Sequence, residues 1–445
     1  MKGSINRRAF IKQTTAAGIG LGVVGHLAAV RGLAAPSNKI NVAVMGVNSR
    51  GGALAQTFAK VEGSEVAYIC DVDTRAIAKC IAEVDKVKRP EAKTPEGVVD
   101  FRRALDDPNV DALVIAAPDH WHAPATLMAL QAGKHVYVEK PCGHNPREGE
   151  MLVEAQRRYG HVVQMGNQQR SSPESMQIIE AIREGLIGRP YFARAWYANT
   201  RGPIGRGKEA EVPDWLDYEL WQGPAPRTPY RDNVVHYNWH WFWRWGTGEI
   251  CNNGTHEIDV ARWVLGVEYP IRVASAGGRY HYDDDWEFYD TQMATFDFEG
   301  GKTIVWEGRS CNGRPLEGRG RGVSVHGERG TAIIDRSGYV VYDNDNKEIW
   351  KRTRVSSDSA LDTRGGGSLT DLHAANFLAS IRGDATPAAA IDGGHQSVLL
   401  CHLGNIAQHT GRTLACDPAT GRILDDDKAM QLWGRDYEPG WEPKV

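Results

Sequence analysis

The run Ile40-Asn41-Val42-Ala43-Val44-Met45, followed at once by Gly46-Val47-Asn48-Ser49-Arg50-Gly51-Gly52, constrains the chain more than any other feature. A nearly continuous apolar hexamer reads as a strand covered on both faces, which a parallel sheet flanked by helices provides. Gly46 and Gly51 permit a tight turn and a close backbone approach. The helical run Ala53 to Lys60 then places a helix N-terminus where a pyrophosphate binds. Asn48 replaces the middle glycine of G-x-G-x-x-G and tolerates left-handed backbone better than most residues. Taken alone, such a loop is explained equally well as a plain strand-to-helix turn.

The pattern downstream of the loop favours a nucleotide. Glu65 to Cys70 reads as a second apolar strand ending at Asp71, about 20 residues past the loop, where a carboxylate binds the adenosine ribose hydroxyls. That charge repels a 2′-phosphate and favours NAD; Arg75 nearby keeps NADP open. Asp111 to Ala117, His135 to Val138 and Val162 to Met165 read as further strands, with a helix from Ala125 to Ala132. Strands alternating with helices at this spacing give a doubly wound parallel sheet. The expected fold class is α/β: an N-terminal Rossmann dinucleotide-binding domain over residues 35–160, then an α+β domain over residues 161–445 with a large open, mainly antiparallel sheet. The second domain is expected from the strands Tyr191 to Asn199, Thr291 to Phe298, Lys302 to Glu307, Thr331 to Asp335 and Gly338 to Tyr342. Helices are expected at Leu369 to Ile381 and His395 to His409, and loops at Gly318 to Gly322 and Thr363 to Ser368.

The segment AAPDHWHAPATLMALQAGKHVYVEKP, from Ala116 to Pro141, resembles the Gfo/Idh/MocA oxidoreductases (glucose–fructose oxidoreductase, inositol dehydrogenase and relatives). Their pattern includes Pro-Asn-x-x-His and a Glu-Lys-Pro tripeptide ending a Rossmann strand. Here Pro118 and His122 match and Asp119 replaces the usual Asn. The resemblance implies that Glu139 and Lys140 border the nicotinamide and its ribose, that Lys140-Pro141 is cis, and that Asn167 belongs to a further cofactor turn. It also covers Gly246 to Trp263, where the family carries Asp-x-x-x-His. Asn252 stands at the Asp position, while His256 and Asp259 match. Spacings of four and three put Asn252, His256 and Asp259 on one helical face. The resemblance implies that Lys140 and His256, with Asn252, manage a hydroxyl proton while hydride leaves, and that Asp259 faces substrate. Losing the carboxylate at 252 removes the charge that would hold a protonated imidazole.

The stretch from Pro229 to Trp245 is dense in rings, and five of the chain's fourteen tryptophans lie between Trp215 and Trp243. Aromatic faces beside Arg, Asn and His suit a sugar. His236, Tyr237, His240 and Arg244 are the expected substrate contacts, with packing as the alternative use of such rings. A zinc site at His236 and His240 lacks a third ligand, so no metal is expected.

Lys2, Arg7, Arg8 and Lys12 precede a mildly apolar, Gly-rich stretch from Ala16 to Val30, and no acid occurs before Glu62. Arg7-Arg8-Ala9-Phe10-Ile11-Lys12 has the shape of a twin-arginine (Tat) export signal over residues 1–34, too short and interrupted to span a bilayer. The formal charge of −4 falls to −9 once its five basic groups are removed, which disfavours nucleic acid and anionic membrane as partners. The expected protein is periplasmic or secreted, with no integral membrane segment and a homo-oligomeric assembly. It would be an oxidoreductase moving hydride between a sugar or glycoside carbon and a tightly held NAD. The alternatives are an NAD-dependent glycosidase working by oxidation, elimination, hydration and re-reduction, and a sugar-binding protein on a dehydrogenase scaffold.

Overall fold

Six parallel strands and nine further strands divide the chain into two sheets. The computed structural model describes residues 39–353 and 368–445, so the expected export signal and most of the expected loop at 363–368 lie outside the described residues. The first sheet comprises β1 (Ile40–Met45), β2 (Ser64–Cys70), β3 (Glu96–Val98), β4 (Ala112–Ile115), β5 (His135–Val138) and β6 (Val163–Met165), in the order β3-β2-β1-β4-β5-β6. All its pairings are parallel. Val42, Ala43, Val44 and every residue of β4 are buried, as a sheet covered on both faces requires. The strand order reverses between β1 and β4, so their C-terminal ends open a crevice there.

The second sheet comprises β7 (Pro190–Ala198), β8 (Arg272–Gly278), β9 (Thr291–Phe298), β10 (Lys302–Arg309), β11 (Arg321–Gly327), β12 (Gly330–Asp335), β13 (Gly338–Asp343), β14 (Glu348–Thr353) and β15 (Leu414–Ala415). Its pairings are antiparallel apart from β10 with β7. Inward residues of β9 such as Ala294 and Phe296 are buried and alternate with partly exposed ones. The helices Thr255–Leu265 and Ile391–Thr410 cover that inner face, where Ile258, Leu399 and Leu403 join the core.

Two boundaries differ from expectation. The nucleotide sheet does not end at residue 160, because β6 pairs with β5. The helix Ser368–Arg382 also returns to this half, burying Ala374, Phe377 and Leu378 against Phe58 and Tyr137. The expected loop at Gly318 to Gly322 becomes β11 from Arg321 onward, since Arg321 to Gly327 pairs with both β7 and β12.

Candidate active site

The crevice at the strand ends encloses about 1790 Å³ of empty space, some of it open solvent. It runs from the glycine loop and Asp71 to Lys140, Asn252 and His256, an elongated cleft of the kind an extended ligand follows. At one end the backbone makes the cradle. Gly46 holds φ +81°, and a Cβ there would press into the backbone of Ala116 and Ala117; a Cβ on Gly51 would overlap the carbonyl of Gly46. Only glycine lets the helix Arg50–Lys60 begin so close to the turn, with its N-terminal amides toward an anion. Gly51 therefore shapes the cradle from beneath, while Gly46, Asn48 and Arg50 line it.

Asp71, at the end of β2, also lines the crevice. Its carboxylate accepts the backbone N–H of Val47 at 2.6 Å and of Asp73 at 2.9 Å, so it is fixed before any ligand arrives. Burial pushes its pKa up against those two bonds. Arg75, the residue that kept NADP open, is occupied: it pairs with Asp73 at 2.9 Å and lies 3.4 Å over the Trp215 ring.

The aromatic stretch crosses this same end. Thr74 donates to the Trp215 carbonyl at 3.1 Å and Asp217 to that of Val72 at 3.0 Å. His236 bonds Asp73 at 2.8 Å and stacks on Trp215. His236, an expected substrate contact, lines the crevice beside Asp71, where Asp73 holds its ring. Tyr237 and His240 line the crevice wall. The Tyr237 hydroxyl accepts from Arg201 at 2.8 Å. His240 lies 3.6 Å from Trp239 in a stacked pair, and its burial drives its pKa well down. The expectation for Arg244 is corrected: it donates to the carbonyl of Pro226 at the exposed surface and does not line the crevice.

The far end carries Lys140, Asn252 and His256. Lys140 follows β5 through a cis peptide to Pro141, as the resemblance implied. Its Nζ donates to the backbone oxygen of Asn252 at 2.6 Å and to its Oδ1 at 3.2 Å. Burial lowers the Lys140 pKa, opposed by Glu139 and Asp119. Asn252 is held in turn, its Nδ2 3.5 Å from Glu249, which is paired with Arg201 at 2.6 Å. His256 lines the same wall. Burial, then the positive charges of Arg336, Arg321, Lys140 and Arg50, force its pKa well below the ordinary imidazole value. It is a neutral ring here, an acceptor or single N–H donor rather than a stored acid.

Asp259 is drawn elsewhere. Residues Ile250–Gly254 form a π-turn, and the α-helix starts only at Thr255, so the expected single face breaks. Asp259 takes a two-pronged ion pair from Arg170 at 2.7 and 2.8 Å and the Ser397 hydroxyl at 2.6 Å, outside the crevice. Asn167 also fails to reach the crevice lining; the 3-10 turn Gln168–Ser171 presents Gln168 and Gln169 instead. Glu139 lines the crevice with Arg50 at 2.8 Å and Gln168 at 3.1 Å. Burial alone would raise its pKa, but Arg50 and Lys140 hold it down as a carboxylate. Pro118 and His122 line the wall, and the His122 ring ties the Ala117 carbonyl to that of Pro141.

Sequence reasoning missed Gln168, Gln169, Arg336 and Thr370. Arg336 sits in the turn between β12 and β13, far from any motif. Thr370 opens a helix that returns from the chain's far end to meet Arg50 at 3.3 Å. Neither has a local signal.

Two family models match this chain: the NAD-binding Rossmann fold of the Gfo/Idh/MocA oxidoreductases over residues 40–167, and their C-terminal alpha/beta domain over residues 195–320. A glycosyl hydrolase family 109 protein of Saccharopolyspora erythraea is 31% identical over 210 residues, covering 43% of this chain and 45% of its own. The alignments with such proteins span about half of the relatives' length. An inositol 2-dehydrogenase of Rubrobacter xylanophilus is 28% identical over 303 residues, covering 67% of this chain and 72% of its own. Among solved structures, levoglucosan dehydrogenase in complex with NADH and levoglucosan has the same fold, with a TM-score of 0.65 at 18% identity, covering 85% of this chain and 99% of that one. The cradle at Gly46, the strand end at Lys140 and the second sheet therefore have one source: this chain belongs to the Gfo/Idh/MocA oxidoreductase family and carries its NAD-binding Rossmann fold.

Proposed function

We propose that the protein is an NAD-dependent oxidoreductase acting on a CH–OH carbon of a sugar or glycoside, with the nucleotide kept bound through many turnovers. The observation that carries this reading is one continuous crevice running from the glycine cradle and Asp71 to Lys140, Asn252 and His256. When bound, NAD accepts a hydride from the carbinol carbon; the chain's own task is to orient the substrate and take the hydroxyl proton. Lys140 is suited to that task because burial favours its neutral amine and two Asn252 oxygens fix its position. The Tyr237, His240 and Trp239 wall supplies flat apolar surface with polar tips, which suits a pyranose.

We also read the chain as exported by the Tat route to the periplasm or beyond, as a homo-oligomer. Tat cargo folds before export, and no free nicotinamide pool awaits it outside, which fits a retained cofactor. Denaturing the freshly purified protein and weighing the released nucleotide by mass spectrometry tests retention. The expected result is close to one NAD(H) per chain. NADP(H) is expected to be absent, because Asp71 and Asp73 crowd the ribose end with negative charge and Arg75 is engaged. Finding no nucleotide, or NADP(H), overturns the reading. Gly51→Ala is expected to weaken nucleotide retention at least tenfold, ~1.4 kcal/mol, since its methyl meets the Gly46 carbonyl; a fully loaded variant would show that the cradle is not where the nucleotide sits.

A second reading has its own support. Similarity to glycosyl hydrolase family 109 proteins favours redox-assisted glycoside cleavage, in which the same crevice oxidises and re-reduces one sugar. Offering panels of glycosides while tracking bound-nucleotide redox state and products separates the two. Hydrolysis without added cofactor, with solvent deuterium appearing beside the oxidised carbon, selects the second.

A further inference from the structure

Three carboxyls act on the charge of Lys140, and they differ in how they are engaged. Glu139, on its own strand end, is paired with Arg50 at 2.8 Å and bonded by Gln168. Glu249, across the crevice, is paired with Arg201 and takes the amides of Asn252 and Asn253 and the Ser310 hydroxyl. Arg321, a cation that also acts on Lys140, is itself paired with Glu257 at 2.7 and 2.9 Å. Asp119 is different. It opens the helix Asp119–Gln131, lines the crevice, is 3% exposed, and its hydrogen-bond donor is a neutral hydroxyl, that of Thr247.

Its position comes from the sheet. β4 and β5 are adjacent parallel strands with Ile115 opposite Val138, so Asp119 and Lys140 leave neighbouring strand ends on the same side. Thr247 belongs to the segment that carries Glu249 and Asn252, and the Asp119–Thr247 bond joins that segment to the nucleotide half. Burial disfavours both ions; against it, His122, the Thr247 hydroxyl and then Lys140 support the Asp119 carboxylate, and Glu139 and then Asp119 support the Lys140 ammonium. The remaining charged or titratable groups facing Lys140 are Arg321 of β11, Arg336 of the β12–β13 turn, and His240 and His256, both deprotonated by burial. His122, beside Asp119 on the same helix, and Glu148 complete the set around the carboxyl.

We propose that Asp119 is the acidic partner of Lys140, a positioning residue whose charge sets the pH at which the lysine becomes a neutral amine able to take a hydroxyl proton. This rests on the oxidoreductase reading for its use, but the charge coupling is measurable without any substrate. Buried pairs of this kind exchange one proton between an ion pair and a neutral pair, so removing one member moves the other's titration.

The test is competitive labelling of the purified holoprotein with trace acetic anhydride from pH 6 to 11, reading the Lys140 peptide by mass spectrometry. Only the neutral amine reacts, so the labelling midpoint reports Lys140 itself. Asp119→Asn keeps the shape and an acceptor for Thr247, and is expected to lower that midpoint by roughly one to two pH units. Thr247→Val breaks the same hydrogen bond but keeps the carboxyl, and is expected to leave the midpoint within about half a unit, since the charge remains. Asp119→Ser stands in should the asparagine variant not fold. A midpoint indifferent to loss of the carboxyl, or moved equally by Thr247→Val, overturns the assignment. Because labelling needs no sugar, such a failure leaves the redox reading standing, whereas absence of bound nucleotide removes that reading and leaves the coupling intact.

Discussion

Lys140→Met is expected to lower turnover by about three orders of magnitude, the range typical for loss of a positioned acid–base group, while the protein still purifies with its nucleotide. Methionine matches the length of the stem but cannot carry a proton. The lysine is held at its tip by the carbonyl and amide oxygens of Asn252 at 2.6 and 3.2 Å, so its reacting atom is fixed by the far side of the crevice and not by the nucleotide. The cradle at Gly46 and Asp71 lies at the other end and has no bond to it. Binding and proton transfer are therefore separable in this chain. His256→Asn should cost less, on the order of tenfold to a hundredfold, because burial, and then nearby positive charge led by Arg336 and Arg321, already makes the imidazole a weak base. The measurement is the rate of nicotinamide reduction in a single turnover with whichever glycoside the wild type accepts. A Lys140→Met enzyme within about tenfold of wild type would remove the lysine from the chemistry and return weight to a binding protein on a dehydrogenase scaffold.

The nucleotide half was legible in the sequence for a physical reason. Strands covered on both faces need unbroken apolar runs, so β1 and β5 appear with their boundaries intact. Glycine positions forced by backbone contact, Gly46 and Gly51, mark the cradle as plainly. The helix begins at Asp119, six residues before the expected start, although Pro124 removes a donor from the i→i−4 ladder. The structure keeps Pro124 inside the helix by a distant remedy: the orphaned carbonyl of His120 accepts from Arg435 at 2.6 Å, 315 residues away. No local pattern announces that. In the second half, the small and glycine-rich sequences of β8 and β11 carry little periodicity, and both are strands because neighbours on either side pair with them. The site shows the same division. Lys140, Asn252 and His256 sit in motifs and converge as expected. Asp259, expected from the resemblance and its helical spacing, is claimed by Arg170, and His236, expected from the ring-dense stretch, is held by Asp73, both partners far away in sequence. Even the local contact of Arg244 with Pro226 turns it outward.

Stability is expected to fall steeply as pH drops from about 6.5 toward 4, the span between the ordinary histidine pKa and the buried values. Burial holds His120 at about 3 and His373, His395 and His402 at about 4. His373 bonds the Met165 carbonyl through Nε2 and the Ser171 hydroxyl through Nδ1, so its second nitrogen is already used as an acceptor. His402 bonds the Gly143 carbonyl at 3.1 Å with its other face on the Cys251 sulfur, and His120 bonds the Trp221 carbonyl at 2.9 Å. A second proton on any of these rings would be a buried cation. A folded pKa below the unfolded one stabilises the native state above about pH 6.5, and the gain is lost at lower pH as the unfolded chain takes up protons that the native core refuses. At about 1.36 kcal/mol per unit, each ring contributes on the order of 3 kcal/mol, and together they rival the whole stability of a typical domain. Urea midpoints should therefore be level between pH 7 and 8 and collapse below pH 6. His373→Gln, which keeps a donor and an acceptor, should flatten part of that slope. The carbonyls these rings hold, Met165 at the end of β6 and Gly143 just past Pro141, frame the strand end that carries Lys140. Protonation and loss of the nucleotide should then share one transition. A protein that releases its nucleotide at pH 5 with its urea midpoint unchanged would show that the cradle, and not these imidazoles, is the acid-sensitive element.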